Sequence, residues 1–298
     1  MRVTNQMMAS KMLTGINNLR SYTASLSNQI TTGERISKVS DDPVAGGEVM
    51  RIQSRGQLVT QWEASLANTK SWVRATEAKL GDITDLLNQA KELALTGANG
   101  SASDETRKAL APAGEQLLQN LMAALNEREP EGALFGGFAT DANPFSIDLA
   151  TGIVTYAGDS GQMQRDVGPG VTMTANISGD RMVDATSPDN MLTVVWELAE
   201  GLKAGDIAQV SGTLDRLDTA RQTAVALRAE MGARDKRIEH LESRMLDTRV
   251  ALDDALQQAQ GVDVAKVLMD LNNADTTYRA ALQVGARVLP PTLADFLR

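Results

Sequence analysis

Residues 43–97 contain no proline after the first position and read PVAGGEVMRIQSRGQLVTQWEASLANTKSWVRATEAKLGDITDLLNQAKELALTG. Every seventh residue of this run is apolar at eight consecutive positions: Ala45, Ile52, Val59, Leu66, Val73, Leu80, Leu87 and Ala94. A strict seven-residue repeat predicts a helix that packs its apolar stripe against a partner helix with a left-handed supercoil. Asp42 as N-cap and Pro43 as first helical residue predict where the helix begins. Gly97 and the helix-breaking residues 99–101 (Asn-Gly-Ser) predict where it ends.

A second proline-free run repeats this pattern between residues 206 and 260. Its apolar positions, again spaced by seven, are Val210, Leu217, Ala224, Met231, Ile238, Met245, Leu252 and Ala259. Each predicted helix has about 55 residues and a length of about 80 Å, and this equal length favours antiparallel pairing. Shorter helices are predicted at about 103–128, beginning at Ser103, and at about 190–204.

The two ends of the chain carry narrower apolar stripes with matching 4-3-7-4 spacing. At the N-terminal end the stripe is Met12, Ile16, Leu19, Leu26 and Ile30, and at the C-terminal end it is Val264, Leu268, Leu271, Tyr278 and Leu282. Thr23 and Asp275 occupy the gaps. A helix of about 28 residues with such a stripe is marginal alone in water. We therefore expect these ten residues to bind a partner, either the other end of the same chain or a neighbouring subunit.

The middle of the chain differs in composition. Residues 132–179 hold nine of the 24 glycines and no lysine. Short strands separated by turn residues are predicted there, at 145–149, 153–157, 162–167 and 171–177. The predicted fold is mainly α, an elongated antiparallel helical rod or coiled coil with a small inserted antiparallel β domain. Both termini would lie at one end of the rod and the β domain near the other.

Three domains follow from this order of elements. Segments 1–42 and 260–298 form a terminal helical layer, 43–130 and 189–259 form the long-helix rod, and 131–188 form the glycine-rich β domain.

Composition excludes several classes of function. The chain has no cysteine, one histidine and a net charge of −9, so disulfides, thiolate sites and multi-histidine metal sites are not expected. An acidic surface disfavours binding to nucleic acid and to anionic membranes. No apolar run is long enough for a membrane span, and the N-terminus lacks the apolar region of a cleavable secretory signal. We expect no cofactor, no metal, no catalytic residue and no enzymatic activity.

Two acidic clusters have both a structural and a functional interpretation. Asp41 and Asp42 are interpreted as helix-capping residues, with cation binding as the alternative. Asp159, Ser160 and Gly161 are interpreted as a hairpin turn, because no lysine follows that would complete a phosphate-binding loop.

The histidine, the tryptophans and one charged run are interpreted in the same way. His240 lies off the apolar seam and is predicted to be a helix-surface residue. The tryptophans are predicted to be packing residues: Trp62, Trp72 and Trp196. The charged run 228–249 is predicted to be a solvated helix face with i,i+4 pairs such as Glu230 with Arg234. Ion pairing between subunits is the alternative.

Three groups of residues resemble a known family. Thr32-Gly33-Glu34-Arg35-Ile36, followed by Ser40-Asp41-Asp42-Pro43-Val44-Ala45-Gly46, resembles the N-terminal signature of bacterial flagellar axial proteins. The start of the chain, residues 1–7, and its end, residues 292–298, resemble the hook–filament junction branch of this flagellin-like family. The middle segments 134–137, 144–145 and 156–162 are similar to the same branch. Pro290 and Pro291 depart from the family pattern and would interrupt the C-terminal helix.

The resemblance implies a structural role without chemistry. The paired terminal helices would form an inner coiled-coil layer around the export channel, the long helices the next layer, and the β domain would face outward. The expected partners are further copies of the chain in a ring, the first hook-associated protein, flagellin, and an export chaperone on the C-terminal helix. The chain would reach the extracellular flagellum by type III export. Flagellin itself, a soluble helical rod and an enzyme are the alternatives.

Overall fold

The computed structural model describes residues 5–288, which are mainly helical and form two compact units. The first unit comprises the described residues up to 58 and from 248 onward, and the second comprises residues 59–247. The long helices are α1 (Asn5–Thr32), α2 (Pro43–Ala98), α3 (Asp104–Leu125), α6 (Leu214–Gln260) and α7 (Val264–Val288). The shorter elements are α4 (Met191–Ala204), α5 (Ile207–Gly212), a 3₁₀ turn (Gly179–Arg181) and strands β1 (Arg128–Glu129), β2 (Gly132–Ala133), β3 (Phe145–Ile147), β4 (Val154–Tyr156), β5 (Gln164–Gly168) and β6 (Val171–Thr174).

The start of α2 is capped as the sequence predicts. Asp42 Oδ1 accepts hydrogen bonds from the backbone N–H groups of Val44 (3.2 Å) and Ala45 (3.1 Å). Asp41 Oδ2 accepts from the N–H of Lys38 at 3.0 Å. The capping interpretation is therefore confirmed for Asp42, whereas Asp41 holds the backbone of the loop before α2 and does not cap the helix.

The apolar seams of the two long helices are buried. Seven of the eight α2 stripe residues are buried and Ala45 is half-buried. In the second stripe six residues are buried, while Leu252 and Ala259 are half-buried. This distribution confirms that the seven-residue repeat marks a packed helix face.

Ion pairs beside the seam show that α2 and α6 are antiparallel within the second unit. Lys70 Nζ lies 2.6 Å from Glu242, and Lys91 Nζ lies 2.6 Å from Asp218. Between them, Arg228 Nε lies 2.7 Å from Glu77. Residue numbers rise along α2 as they fall along α6. The predicted pair between Glu230 and Arg234 is present at 2.6 Å. The run 228–249 also supplies two of the three bridges to α2, through Arg228 and Glu242, so it is more than a solvated face.

The prediction of one continuous helix over 206–260 is wrong at one position. The chain forms α5, breaks at Thr213 and continues as α6. The Thr213 side chain donates a hydrogen bond to the Val210 carbonyl at 2.7 Å, and the Thr213 N–H donates to the same oxygen at 3.2 Å. These i→i−3 bonds end the short helix after Gly212, a residue of low helix propensity. The seam continues across the break, since Val210 and Leu217 are both buried.

The two shorter helices begin where the sequence predicts. Ser103 caps α3 by accepting from the Thr106 N–H at 3.2 Å, and Asn190 caps α4 by accepting from the Thr193 N–H at 2.9 Å. Arg107 on α3 is buried and donates to the Gly97 carbonyl at 2.9 Å and the Asp104 carboxylate at 2.9 Å. A buried cation therefore binds the carboxyl end of α2, where the helix dipole is negative.

The glycine-rich middle forms three two-stranded antiparallel sheets, β1–β2, β3–β4 and β5–β6. All four predicted strands are longer than the observed ones, β5 also ends at Gly168 rather than 167, and the β1–β2 pair was not predicted. Asn126 bonds both backbone groups of Phe145, since its side-chain amide donates to the Phe145 carbonyl and accepts from the Phe145 N–H, both at 2.9 Å. The Tyr156 hydroxyl donates to the Phe135 carbonyl at 2.9 Å. These polar contacts organise a core around Phe135 and Phe145.

Candidate functional site on the terminal helices

The terminal helices α1 and α7 pack against each other in antiparallel order. A cluster of buried Leu26, Val267 and Ala274 lies at one end of the pair. At the other end, a Cβ placed on Gly285 would lie 3.5 Å from Met12 and 3.7 Å from Ile16. Low residue numbers on α1 therefore lie beside high residue numbers on α7.

A backbone junction joins the facing ends of these helices. Gly33 follows α1 with φ +73°, and its N–H donates to the Gln29 carbonyl at 2.9 Å, which is a left-handed helix cap. The Arg35 N–H then donates to the Gln260 carbonyl at 2.7 Å, and the Val262 N–H donates to the Gly33 carbonyl at 3.2 Å. The family-like signature that begins at Thr32 thus includes the glycine that turns the chain and lets it pair with residues 260–262.

The signature loop also carries a perturbed carboxylate. The backbone N–H of Ala45, and more weakly the guanidinium of Arg35, hold the pKa of Asp42 below its usual value. Arg35 Nη1 lies 3.5 Å from Asp42 Oδ2. Asp42 is therefore ionised at neutral pH and favours the start of α2.

The N-terminal stripe lies on the face of α1 that turns toward α7. Leu26 is buried, and Met12, Ile16, Leu19 and Ile30 are half-buried. Thr23, which fills the gap, is half-buried and donates to the Leu19 carbonyl at 2.9 Å. All five predicted residues of α1 thus share one face.

The C-terminal stripe is divided between two faces of α7. Leu271 and Tyr278 are half-buried, whereas Val264, Leu268 and Leu282 are 47%, 44% and 44% exposed. The face toward α1 is instead formed by Val267, Leu271, Ala274, Tyr278, Ala281 and Gly285, with 4-3-4-3-4 spacing. The sequence analysis did not include Ala274, Ala281 and Gly285, because small residues contribute little to a hydrophobic pattern. Their regular spacing is nevertheless visible in the sequence.

The first unit is unusually rich in exposed apolar side chains. Of the twenty-one large apolar side chains exposed in the described chain, fourteen belong to this unit, which holds about a third of the described residues. They are Met7, Met8, Leu13, Tyr22, Val39, Val44, Met50, Leu58, Val250, Val264, Leu268, Met269, Leu282 and Val284. An exposed apolar surface of this kind is typical of a site that another protein covers.

Within residues 5–288, no group of three or more acidic or histidine side chains is arranged to hold a metal ion. Asp159 Oδ1 accepts from the N–H groups of Phe138 (2.8 Å) and Gly161 (2.7 Å), so a carboxylate occupies the amides that a phosphate would need. His240 is exposed on α6, as predicted.

The tryptophans are packing residues, as predicted. Trp72 is buried, Trp62 and Trp196 are half-buried, and the Trp196 indole N–H donates to the Leu149 carbonyl at 3.0 Å. None of the helices over 5–288 has the length and hydropathy that a membrane crossing requires. Pro290, Pro291 and the ending 292–298 lie outside the described residues, as does the segment 1–4.

Comparison with known proteins agrees with the sequence resemblance. The profile of the bacterial flagellin N-terminal helical region matches residues 3–132. Flagellar hook-associated protein 3 of Salmonella typhimurium is 26% identical over 309 residues, covering 95% of this chain and 94% of that protein. A 30.7 kDa flagellar filament core protein of Treponema maltophilum is 28% identical over 240 residues, covering 79% of this chain and 76% of that protein.

A solved structure supports the fold. The structure of a putative flagellar hook-associated protein from Vibrio parahaemolyticus superposes with a TM-score of 0.68 and 21% identity, covering 74% of this chain and 100% of that one. Sequence likeness over nearly the whole length, the N-terminal profile and the shared fold agree on one assignment. The chain is similar over nearly its whole length to flagellar hook-associated protein 3, and its N-terminal part matches the helical region of flagellin, so its relatives are structural proteins of the flagellum.

Proposed function

We propose that this chain is a structural component of the extracellular flagellum, placed at the junction between hook and filament. There it connects the first hook-associated protein to flagellin and forms a ring with further copies of itself. The support is likeness to a hook-associated protein 3 over 95% of the chain. The absence of cysteine and the single histidine agree with a role that requires no chemistry.

The terminal helices carry assembly in this proposal. The observation behind it is the concentration of exposed apolar side chains on the first unit, fourteen of twenty-one. Covering the remaining exposed half of one such leucine or methionine side chain stabilises a complex by about 1 kcal/mol before the entropy of ordering is subtracted. A few such side chains, covered by a neighbouring subunit, are enough to favour incorporation.

The pairing of α1 with α7 is weak enough for a chaperone to keep the two helices apart before assembly. Beyond the cluster around Leu26 and Val267, its seam contains Thr23, Ala274, Ala281 and Gly285, which bury little apolar area. A pair of this kind can unfold for type III export at low cost, and a chaperone can hold α7 beforehand by covering its apolar face. Ordering of the ends on neighbouring subunits then couples folding to assembly.

A filament subunit is the second candidate, and the likeness to a filament core protein of Treponema maltophilum favours it. Deletion of the gene separates the two functions. A junction protein leaves cells with complete hooks, no attached filaments and flagellin released to the medium. A filament subunit would be the main protein of sheared filaments, and its loss would leave no flagellin to release.

A point variant tests the assembly surface itself. Leu268→Asp places a charge on the exposed face of α7, so the free subunit should keep its helix content while hooks fail to acquire filaments. Leu95→Asp is the matched control, since Leu95 is 53% exposed in the second unit. Filaments of normal number in the Leu268→Asp strain would refute assembly through this face.

A further inference from the structure

The sulfur chemistry of the chain is confined to methionine. The sequence has 13 methionines and no cysteine. A thioether is therefore the only sulfur that an oxidant can modify, and its oxidation product is a polar sulfoxide.

The methionines are divided between the two units by exposure. In the described chain the exposed ones are Met7, Met8, Met50 and Met269, with exposed fractions of 51%, 45%, 58% and 61%, and all belong to the first unit. The buried ones all belong to the second unit: Met173, Met182, Met191, Met231 and Met245. The most exposed methionine side chains thus belong to the unit that we propose for assembly.

The surroundings of two of these residues show what oxidation would change. Met50 lies in a cleft of about 140 Å³ beside Val39 and Val49, next to the signature loop. Met269 lies beside exposed Leu268 on α7. A sulfoxide at either position adds a strong acceptor to an apolar surface. In the free subunit water hydrates the sulfoxide oxygen, so the stability of the subunit is unchanged. Under a neighbouring subunit the oxygen loses this water without gaining a hydrogen-bond donor, which weakens binding.

We propose that Met7, Met8, Met50 and Met269 are oxidation sites through which a peroxide blocks incorporation of the subunit while leaving it folded. The inference rests on the proposed function. In each reaction the thioether sulfur attacks one peroxide oxygen, an S–O bond forms as the O–O bond breaks, and hydrogen peroxide is reduced to water. The methionine becomes its sulfoxide, and a methionine sulfoxide reductase reverses the change. Buried methionines are protected by the packing of the second unit.

The experiment treats the purified full-length chain with hydrogen peroxide and maps oxidised peptides by mass spectrometry over time. The four exposed methionines should oxidise before the five buried ones, with no change in the thermal unfolding followed by circular dichroism. The treated chain is then added to isolated hooks that lack filaments. Attachment should fall by about tenfold, the factor that one unpaired buried acceptor produces.

Two variants and a sulfoxide reductase test whether the loss of attachment comes from the four exposed methionines. The variant with Met7→Leu, Met8→Leu, Met50→Leu and Met269→Leu should attach after peroxide as it does before. The control variant with Met122→Leu and Met163→Leu, which removes half-buried methionines of the second unit, should stay sensitive. Sulfoxide reductases should restore attachment of the oxidised wild-type chain, and this measurement decides the question if the quadruple variant does not attach at all.

The experiment distinguishes failure of the oxidation proposal from failure of the proposed function. Equal oxidation rates for Met269 and Met231, or normal attachment of the oxidised chain, would overturn the oxidation proposal alone. Untreated wild-type chain that does not attach to hooks would overturn the proposed function, and the oxidation proposal with it.

Discussion

Truncation of Leu66 tests the coiled-coil seam. Leu66 belongs to the seven-residue stripe of α2 and is 1% exposed. Leu66→Ala removes three methylene-sized groups from a packed interior, which costs about 2–5 kcal/mol from lost transfer energy and the remaining cavity. Leu95→Ala on the same helix is the matched control. Leu95 is 53% exposed, so its truncation should change the stability by less than about 0.5 kcal/mol.

Tryptophan fluorescence reports this unfolding selectively. All three tryptophans, Trp62, Trp72 and Trp196, lie in the second unit. A urea titration with this signal should show a midpoint lower by about 1 M or more for Leu66→Ala, given a slope of about 2–3 kcal/mol per molar urea. Equal midpoints for Leu66→Ala and Leu95→Ala would refute the argument that the repeat marks the stabilising seam.

Three further changes follow from single side chains. Trp72→Phe should lower the free energy of unfolding less than Trp72→Ala does, by at least about 2 kcal/mol, in a urea titration followed by circular dichroism. The reason is that the buried Trp72 Nε1 has no hydrogen-bond partner in the described chain, and phenylalanine removes this donor. Arg107→Met should lower the free energy of unfolding by about 2–3 kcal/mol in the same titration, since it leaves the Gly97 carbonyl without its buried donor. Asp42→Ala should speed amide exchange at Val44 and Ala45 at neutral pH. The pKa of Asp42 is lowered in the folded chain, so its ionised cap stabilises the start of α2 above the unfolded pKa of about 3.9. This stabilisation is lost as the pH falls through the folded pKa, and the difference in exchange rate between Asp42→Ala and wild type should therefore vanish in acid.

The long helices could be predicted from the sequence because their signal is strong and redundant. Eight apolar residues at spacing seven and an Asp-Pro start agree for α2, whereas Gly97 lies inside the helix, which ends at Ala98. The break at Thr213 could not be predicted in this way. It depends on a threonine hydroxyl that bonds the Val210 carbonyl, and threonine occurs in helix interiors as well. Strands β1 and β2 have two residues each, which is too short for an alternating pattern.

The C-terminal stripe was only partly predictable because α7 carries two apolar ladders. One contains the large residues Val264, Leu268 and Leu282, and the other contains Val267, Ala274 and Gly285 among its members. Hydrophobicity alone favours the first ladder. Close approach of two helices favours the second, since small residues let the backbones approach and Gly285 leaves space for Met12.

This distribution on α7 is itself evidence about assembly. A helix that needs only one partner buries its largest apolar residues against that partner, since the burial energy rises with apolar area. On α7 the seam with α1 combines large and small residues, namely Val267, Leu271, Ala274, Tyr278, Ala281 and Gly285. Leu268 and Met269 nevertheless remain 44% and 61% exposed. An apolar surface beside the seam is therefore left uncovered by α1, and a neighbouring subunit in the flagellum covers it in the proposed assembly.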